Sequence, residues 1–170
     1  AGVTVERKEG SFVGPERQRV YRVLDLPGAY SLTPTTLDEA ITRDFLLGRL
    51  ANEPAPEFVV CVVDATNLRL NLRLVLELRD LGVPMVVALN MSDLAANRGY
   101  YLDRARLEQE LRVPVVETVA VTHTGHQPLV AKLESLPHPG ARQPVAWREP
   151  SFEAIQDTQR EVRRILQVAG

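Results

Sequence analysis

The chain has 170 residues, 45% of them hydrophobic and 25% charged, and a formal net charge of -2. That length suits one sizeable domain with a small appended piece, and that balance is ordinary for a soluble globular protein. No clustered basic face marks a nucleic-acid binder, and the single cysteine, Cys61, excludes an internal disulfide and fits a reducing compartment.

In chain order, Val3 to Val13 reads as a strand with polar residues interleaved. Val20 to Asp25 reads as a second strand, and Pro15 with its polar neighbours can turn the two into a hairpin. Thr36-Leu37-Asp38-Glu39 has the form of a capping box, opening a helix with Ile41 and Phe45 on one face. Phe58 to Val63 is the longest unbroken apolar run, far short of the about 18 to 20 residues that a membrane helix needs. With Asp64 it reads as a strand buried on both faces of a parallel sheet. Asn67 to Leu81 is a leucine-rich helix with Arg69, Arg73, Glu77 and Asp80 as its solvent stripe and Gly82 as its stop.

Pro84 to Asn90 is another buried strand, Asp103 to Leu111 a helix, Val113 to Val121 a strand and Leu129 to Leu136 a short helix. Strand and helix alternate from Val20 onward, which predicts an α/β fold with a mostly parallel sheet covered on both faces. The sequence divides into an α/β domain at 1–136, a proline-rich linker or wrapping segment at 137–150, and a helix at 151–170 capped by Ser151. That helix, with Phe152, Ile155, Val162 and Leu166 on one side, has little core of its own, so it packs on something else or begins a second domain. The first residue is alanine rather than methionine, so the chain reads as a piece of a longer product.

Ligands of an open parallel sheet bind outside the carboxyl ends of its strands. Three segments fall just past such ends: Asp25-Leu26-Pro27-Gly28, Asn90-Met91-Ser92-Asp93 and Val119-Ala120-Val121. Asp25 can hold a hydrated magnesium ion, which keeps most of its water shell and needs only a carboxylate or two. Gly28 lets its backbone N–H approach a terminal phosphate. Asp93 can accept two neighbouring N–H donors on one ring edge, which guanine offers and adenine does not. Asn90 can brace the neighbouring loop and the base, and the Ala120 N–H can reach the guanine carbonyl oxygen. Thr4, in the opening Ala1-Gly2-Val3-Thr4, can complete the magnesium shell when a third phosphate is present, as a switch residue does. Singly, these are turn formers, helix caps and a strand threonine; in this order, each at a strand end, they read as a guanine-nucleotide site.

The stretches Ala1 to Glu6, Lys8-Glu9-Gly10, Asp25-Leu26-Pro27-Gly28-Ala29-Tyr30-Ser31-Leu32, Asp38-Glu39 to Leu47, Val63 to Leu68 and Asn90-Met91-Ser92-Asp93 resemble the cytosolic G domain of the FeoB family of bacterial ferrous-iron transporters. The likeness runs from about residue 1 to about residue 136. It implies a Ras-like P-loop fold followed by a helical domain and a polytopic membrane domain that carries ferrous iron inward. It also implies slow GTP hydrolysis at the cytoplasmic face of the bacterial inner membrane, with GTP or GDP and Mg2+ bound. By the resemblance, Gly2, Val3 and Thr4 belong to the first switch, and Asp25, Leu26, Pro27 and Gly28 to the second. Thr4 and Gly28 are the catalytic candidates, and Thr4 and Asp25 the metal ligands. Asn90, Met91 and Asp93 read the base, and Val119, Ala120 and Val121 form the last base loop. The implied partners are the FeoB membrane domain in cis, small Feo proteins and a second copy of the chain.

Three departures from that pattern stand out. No Gly-x-x-x-x-Gly-Lys-Ser/Thr occurs in the chain, so the phosphate loop, the strand before it and the helix after it are missing. That strand lies mid-sheet in the family, so a gap between its neighbours is expected. The asparagine on which the family's potassium stimulation depends would lie in the same loop. Val119 stands where the family more often has serine, which predicts weaker nucleotide affinity. Ala29 stands where many signalling GTPases have a water-orienting glutamine. The competing reading is a nucleotide-free interaction module, or another small GTPase of the same superclass.

Overall fold

The computed structural model describes residues 8–170; the predicted first-switch residues Gly2, Val3 and Thr4 lie outside them. Strands β1 (Lys8–Val13) and β2 (Val20–Asp25) form an antiparallel hairpin in full register from Lys8 opposite Asp25 to Val13 opposite Val20. Strands β3 (Val59–Asp64), β4 (Met85–Asn90) and β5 (Val115–Glu117) form a separate parallel sheet in the order β3-β4-β5. The helices are α1 (Leu37–Leu46), α2 (Leu68–Asp80), α3 (Ser92–Asn97), α4 (Arg104–Leu111), α5 (His126–Ser135) and α6 (Phe152–Ala169).

β4 is the middle strand, and its run Met85 to Leu89 is buried throughout. Alternate residues serve two cores, as the period of a strand requires. Met85, Val87 and Leu89 join Cys61 and Val63 against the leucines of α2 and against Leu107, Leu111, Val162 and Ile165. Val86 faces the other way, with Val116 and Leu133, and the Phe12–Tyr21 stack packs on that second cluster.

Between β2 and β3 no ladder forms: the two belong to different sheets. This is the gap expected from the absent mid-sheet strand. Val60 and Val62 are 40% and 65% exposed on the face that α5 leaves uncovered, while Val63 on the opposite face is 1% exposed.

The local signals at helix ends hold with small changes. Thr36 accepts from the Glu39 N–H at 3.2 Å, and Glu39 reaches back chiefly to the N–H and hydroxyl of Thr35. Those bonds, first the hydroxyl of Thr35, hold the Glu39 carboxyl below its ordinary pKa. Gly82 takes φ 72° and closes α2 by donating to the Arg79 carbonyl at 2.8 Å. Ser151 caps α6 through the Ala154 N–H.

Other readings need correction. The last strand ends at Glu117, not Val121, because Val119 bridges back to Thr124 and Ala120–Thr122 winds into a 3-10 turn. α5 begins at His126, three residues before Leu129, since left-handed Gly125 turns the chain straight into it. The short α3 had no sequence expectation; six residues offer too little periodicity to reveal it. On α2, Arg73 and Glu77 are half-buried rather than a free solvent stripe, because Glu77 accepts from the Leu32 N–H at 2.6 Å and from Arg73 at 2.9 Å.

α6 docks on α2 and α4 through Val162, Ile165 and Ala169, so it shares the main core. Phe152, expected on its apolar side, is 76% exposed. The 137–150 segment wraps back across α1: Val145 N–H donates to the Leu47 carbonyl at 2.9 Å, and the guanidinium groups of Arg43 and Arg49 lie over the Trp147 ring.

Two outcomes are expected. Leu72→Ala, at a fully buried position, costs about 2 to 5 kcal/mol in urea unfolding, whereas Val62→Ala stays within about 0.5 kcal/mol; equal losses at both positions would show that the β3 face is covered. Cys61 is buried, and desolvation pushes its thiol up to about 11. At pH 8 only about one thiol in a thousand is then ionised, so a disulfide reagent labels the native chain slowly and the urea-unfolded chain at once.

Candidate functional site

The parallel register aligns the strand ends. Asp64 is opposite Asn90, and Leu89 is opposite Glu117. The residues immediately beyond are therefore neighbours. The Asn90 Oδ1 accepts from the Ala120 N–H at 3.0 Å and from the Thr118 hydroxyl at 3.2 Å. The Asn90 backbone carbonyl accepts from Ala65 N–H at 2.9 Å. Asn90 thus ties the loop after β5 and the loop after β3 to the end of β4.

Met91 takes the left-handed conformation, φ 60°, and turns the chain from β4 directly into α3. Asp93 falls in the first turn of that helix. Ser92 donates to the Thr118 carbonyl at 3.3 Å, a second strut between the two loops. The carboxylate of Asp93 is exposed and makes no hydrogen bond or ion pair with any other described residue. It opens on a cleft of about 380 Å³ that is also lined by Leu89, Ser92, Tyr100, Glu117 and Val119. Tyr100 and Tyr101 are 53% and 84% exposed. Val121 is 88% exposed and points away from the buried part of the loop.

The loop is locked from behind by Gly125. A Cβ there would lie 2.1 Å from the Glu117 carbonyl oxygen, and the residue sits at φ 84°, so both space and backbone demand glycine. Thr118, 7% exposed, was missed by sequence reasoning. Its only signal is a hydroxyl placed directly after a buried apolar strand, where it must find a partner.

The second group of residues lies on the hairpin. Asp25 ends β2, exposed, with a carboxylate that makes no hydrogen bond or ion pair to another described residue. Such a free hard oxygen suits magnesium and its water shell. From Leu26 the chain runs to α1: the Thr42 hydroxyl donates to the Pro27 carbonyl at 2.9 Å, and Leu32 is anchored to Glu77 on α2. Gly28 has nothing within 4 Å of where a Cβ would stand, and its φ is not left-handed. Neither packing nor backbone strain explains a glycine there.

Asp25 opens on a different, shallow cleft along β1. The structure therefore joins Asn90, Asp93, Val119 and Ala120 in one place and holds Asp25 and Gly28 in another, with the missing ladder between them.

The sequence profile of the family described as ferrous iron transport protein B matches residues 1–133. The Fe(2+) transporter FeoB of Salmonella typhimurium is 43% identical over 133 residues, which are 76% of this chain and 16% of that protein. Among solved structures, the cytosolic domain of the T. maritima FeoB iron transporter in its GMPPNP form superposes with a TM-score of 0.78 at 23% identity, covering 99% of this chain and 86% of that one. An S. thermophilus NFeoB mutant bound to GMPPNP superposes with a TM-score of 0.68 at 35% identity, covering 88% of this chain and 55% of that one. The fold is the Ras-like α/β sheet of those G domains, and the chain belongs to the ferrous iron transport protein B family.

Proposed function

We propose that the chain carries the base-reading and switch parts of a GTP-binding, slowly GTP-hydrolysing domain that regulates ferrous iron transport. The supporting observation is the Asn90 brace, which draws the loop after β5 against the end of β4 beside the free carboxylate of Asp93. A pair of ring N–H donors on guanine would meet both Asp93 oxygens, and adenine would leave that charge unpaired. The Ala120 N–H, bonded to Asn90 in this structure, would share or exchange that bond when a guanine carbonyl oxygen arrives.

On the hairpin side, Asp25 would hold magnesium through water, joined by Thr4 when a third phosphate is present. Bound magnesium would neutralise charge on the phosphate oxygens. A glycine at 28 would let its backbone N–H approach a phosphate oxygen, and the space where a Cβ would stand is open. No side chain follows Gly28 that could orient water, since Ala29 comes next; hydrolysis would therefore be slow. The S. thermophilus relative bound to GMPPNP supports the guanine assignment. Membership of a ferrous iron transport family supports the transport role. The chain spans only 16% of the Salmonella transporter, so the membrane domain, small Feo partners, self-association and the inner-membrane location enter as parts of the same proposal.

Among the described residues no strand pairs with the outer edge of β3, which favours a second reading for the 170 residues taken alone: a nucleotide-free interaction module, since the sequence holds no Gly-x-x-x-x-Gly-Lys-Ser/Thr loop. Calorimetry with GDP separates the two. The chain alone is expected to bind weakly; the chain preceded by a strand, a Gly-x-x-x-x-Gly-Lys-Ser/Thr loop and a helix is expected to bind at micromolar Kd or tighter. Micromolar binding by the 170 residues alone would exclude the second reading. In the extended chain, Asp93→Ala removes two charge-assisted hydrogen bonds and is expected to weaken GDP binding about 100-fold or more, erasing the preference over ADP. Retained discrimination would sink the base-reading role of Asp93. Val119→Ser should tighten GDP a few-fold, about 1 kcal/mol for one added hydrogen bond.

A further inference from the structure

Glu134 is a buried charge with no part in the site so far described. It stands near the end of α5 and is 2% exposed. Its carboxylate accepts from two backbone donors of the β1–β2 turn, the Glu16 N–H on Oε2 and the Arg17 N–H on Oε1, both at 3.2 Å. A carboxylate is taken out of water only where donors replace the lost hydration, and two aligned N–H groups do so.

The turn is shaped for this guest. Gly14 N–H donates to the Arg19 carbonyl at 2.8 Å and its own carbonyl accepts from Gln18 N–H at 3.0 Å, which leaves the amides of Glu16 and Arg17 free to point outward. A Cβ on Gly14 would fall 1.9 Å from Glu134 Oε1 and 2.6 Å from its Cδ. Gly14 is buried, so the carboxylate occupies the space that a side chain there would need.

Among the described residues no ladder joins the hairpin to the parallel sheet, and this contact does join the hairpin tip to α5. Glu134 is the hydrogen-bonded tether between the hairpin tip and the body, beside the Phe12–Tyr21 stack and the Arg22–Glu53 pair at 3.9 Å. The far end of β2 from that tip is Asp25. The far end of α5 from Glu134 is Gly125, locked against Glu117 at the base loop. α5 has 10 residues, a rod of about 15 Å. One helix thus connects the base loop to the turn, and one strand connects the turn to the magnesium carboxylate.

We propose that Glu134 is a positioning residue: by gripping the β1–β2 turn it fixes the Asp25-bearing hairpin to α5, and so holds the magnesium side of the site in register with the base-reading side. The proposal rests on the guanine-nucleotide reading above and adds the group that couples its two halves.

The test uses Glu134→Ala and Gly14→Ala, which break the same contact from opposite sides, and Glu134→Gln, which keeps the size and one acceptor. Without nucleotide, hydrogen exchange on the 170-residue chain should show the Glu16 and Arg17 amides at least about 10-fold less protected in both alanine variants, with partial rescue by Gln. In the phosphate-loop-extended chain, the Mg2+ concentration that half-maximally slows GDP release should rise several-fold in both alanine variants. The preference for GDP over ADP should stay unchanged. Unchanged exchange at the two amides would overturn the grip. Faster exchange with an unchanged Mg2+ requirement, or an equal loss of Mg2+ response and base preference, would overturn the positioning role. If the unmutated extended chain bound no guanine nucleotide, the functional reading and the positioning role would fall together, while the exchange data would still report separately on the grip.

Discussion

The parallel ladder of β4 with its two neighbours is the constraint from which the rest follows. Parallel strands end on the same side, so a register of Asp64 with Asn90 and of Leu89 with Glu117 leaves three chain exits side by side. Backbone groups at such exits have lost their ladder partners and must find others. Asn90 supplies one, accepting the N–H of Ala120 and the hydroxyl of Thr118 through a single oxygen. The same geometry that satisfies the strand ends thereby gathers Asn90, Asp93, Val119 and the Ala120 backbone. The site is a by-product of how a parallel sheet terminates, refined by a left-handed residue at Met91 and a glycine at 125 that admit sharp exits.

Much of this was legible from residue order. The run Met85 to Leu89 reads as a buried strand and is one, the run Val59 to Val63 is a strand buried on one face only rather than on both, and the leucine spacing of α2 has one helical reading. Gly82 and Ser151 announced their helix boundaries by mechanism: a left-handed stop and a hydroxyl cap. The errors fall where local pattern gives no information about partners. Val113 to Val121 alternates like a strand throughout, yet β5 stops at Glu117, because Gly125 and the Val119–Thr124 bridge pull the chain around. Arg73 and Glu77 sit at solvent spacing, but the Leu32 amide lands on Glu77 from 45 positions away.

The site was legible by the same logic and to the same limit. Asn90, Asp93 and Ala120 were named because they follow buried strands, and the structure brings them together. Thr118 was passed over because a threonine at a strand end is unremarkable until its partner, Asn90, is known. Glu134 was passed over for a stronger reason. Nothing in His126 to Ser135 distinguishes a buried glutamate from a solvated one, since its donors lie about 118 residues earlier, in the turn after β1.

The broken ladder between β2 and β3 sets the terms on which those pieces act together. In a continuous sheet, backbone hydrogen bonds would hold the hairpin to β3 at every second residue. Here the hairpin keeps its position through side chains: an aromatic stack on Val86 and Val116, a carboxylate in its turn, and the Thr42 and Glu77 bonds to the chain beyond Asp25. Each of these is a small contact that can be lost singly, whereas a ladder is lost cooperatively. Asp25 is therefore carried on an element held by side-chain contacts, and Asn90 ends the most buried strand. On the guanine-nucleotide reading proposed above, that division would suit a switch, with a fixed frame for the base and a phosphate side that responds to a third phosphate. The wrapping segment across α1 and the docking of α6 on α2 extend that frame. Beyond the hairpin, Leu32 is bonded to Glu77 on α2, and α1, which follows, is covered by Trp147 under Arg43.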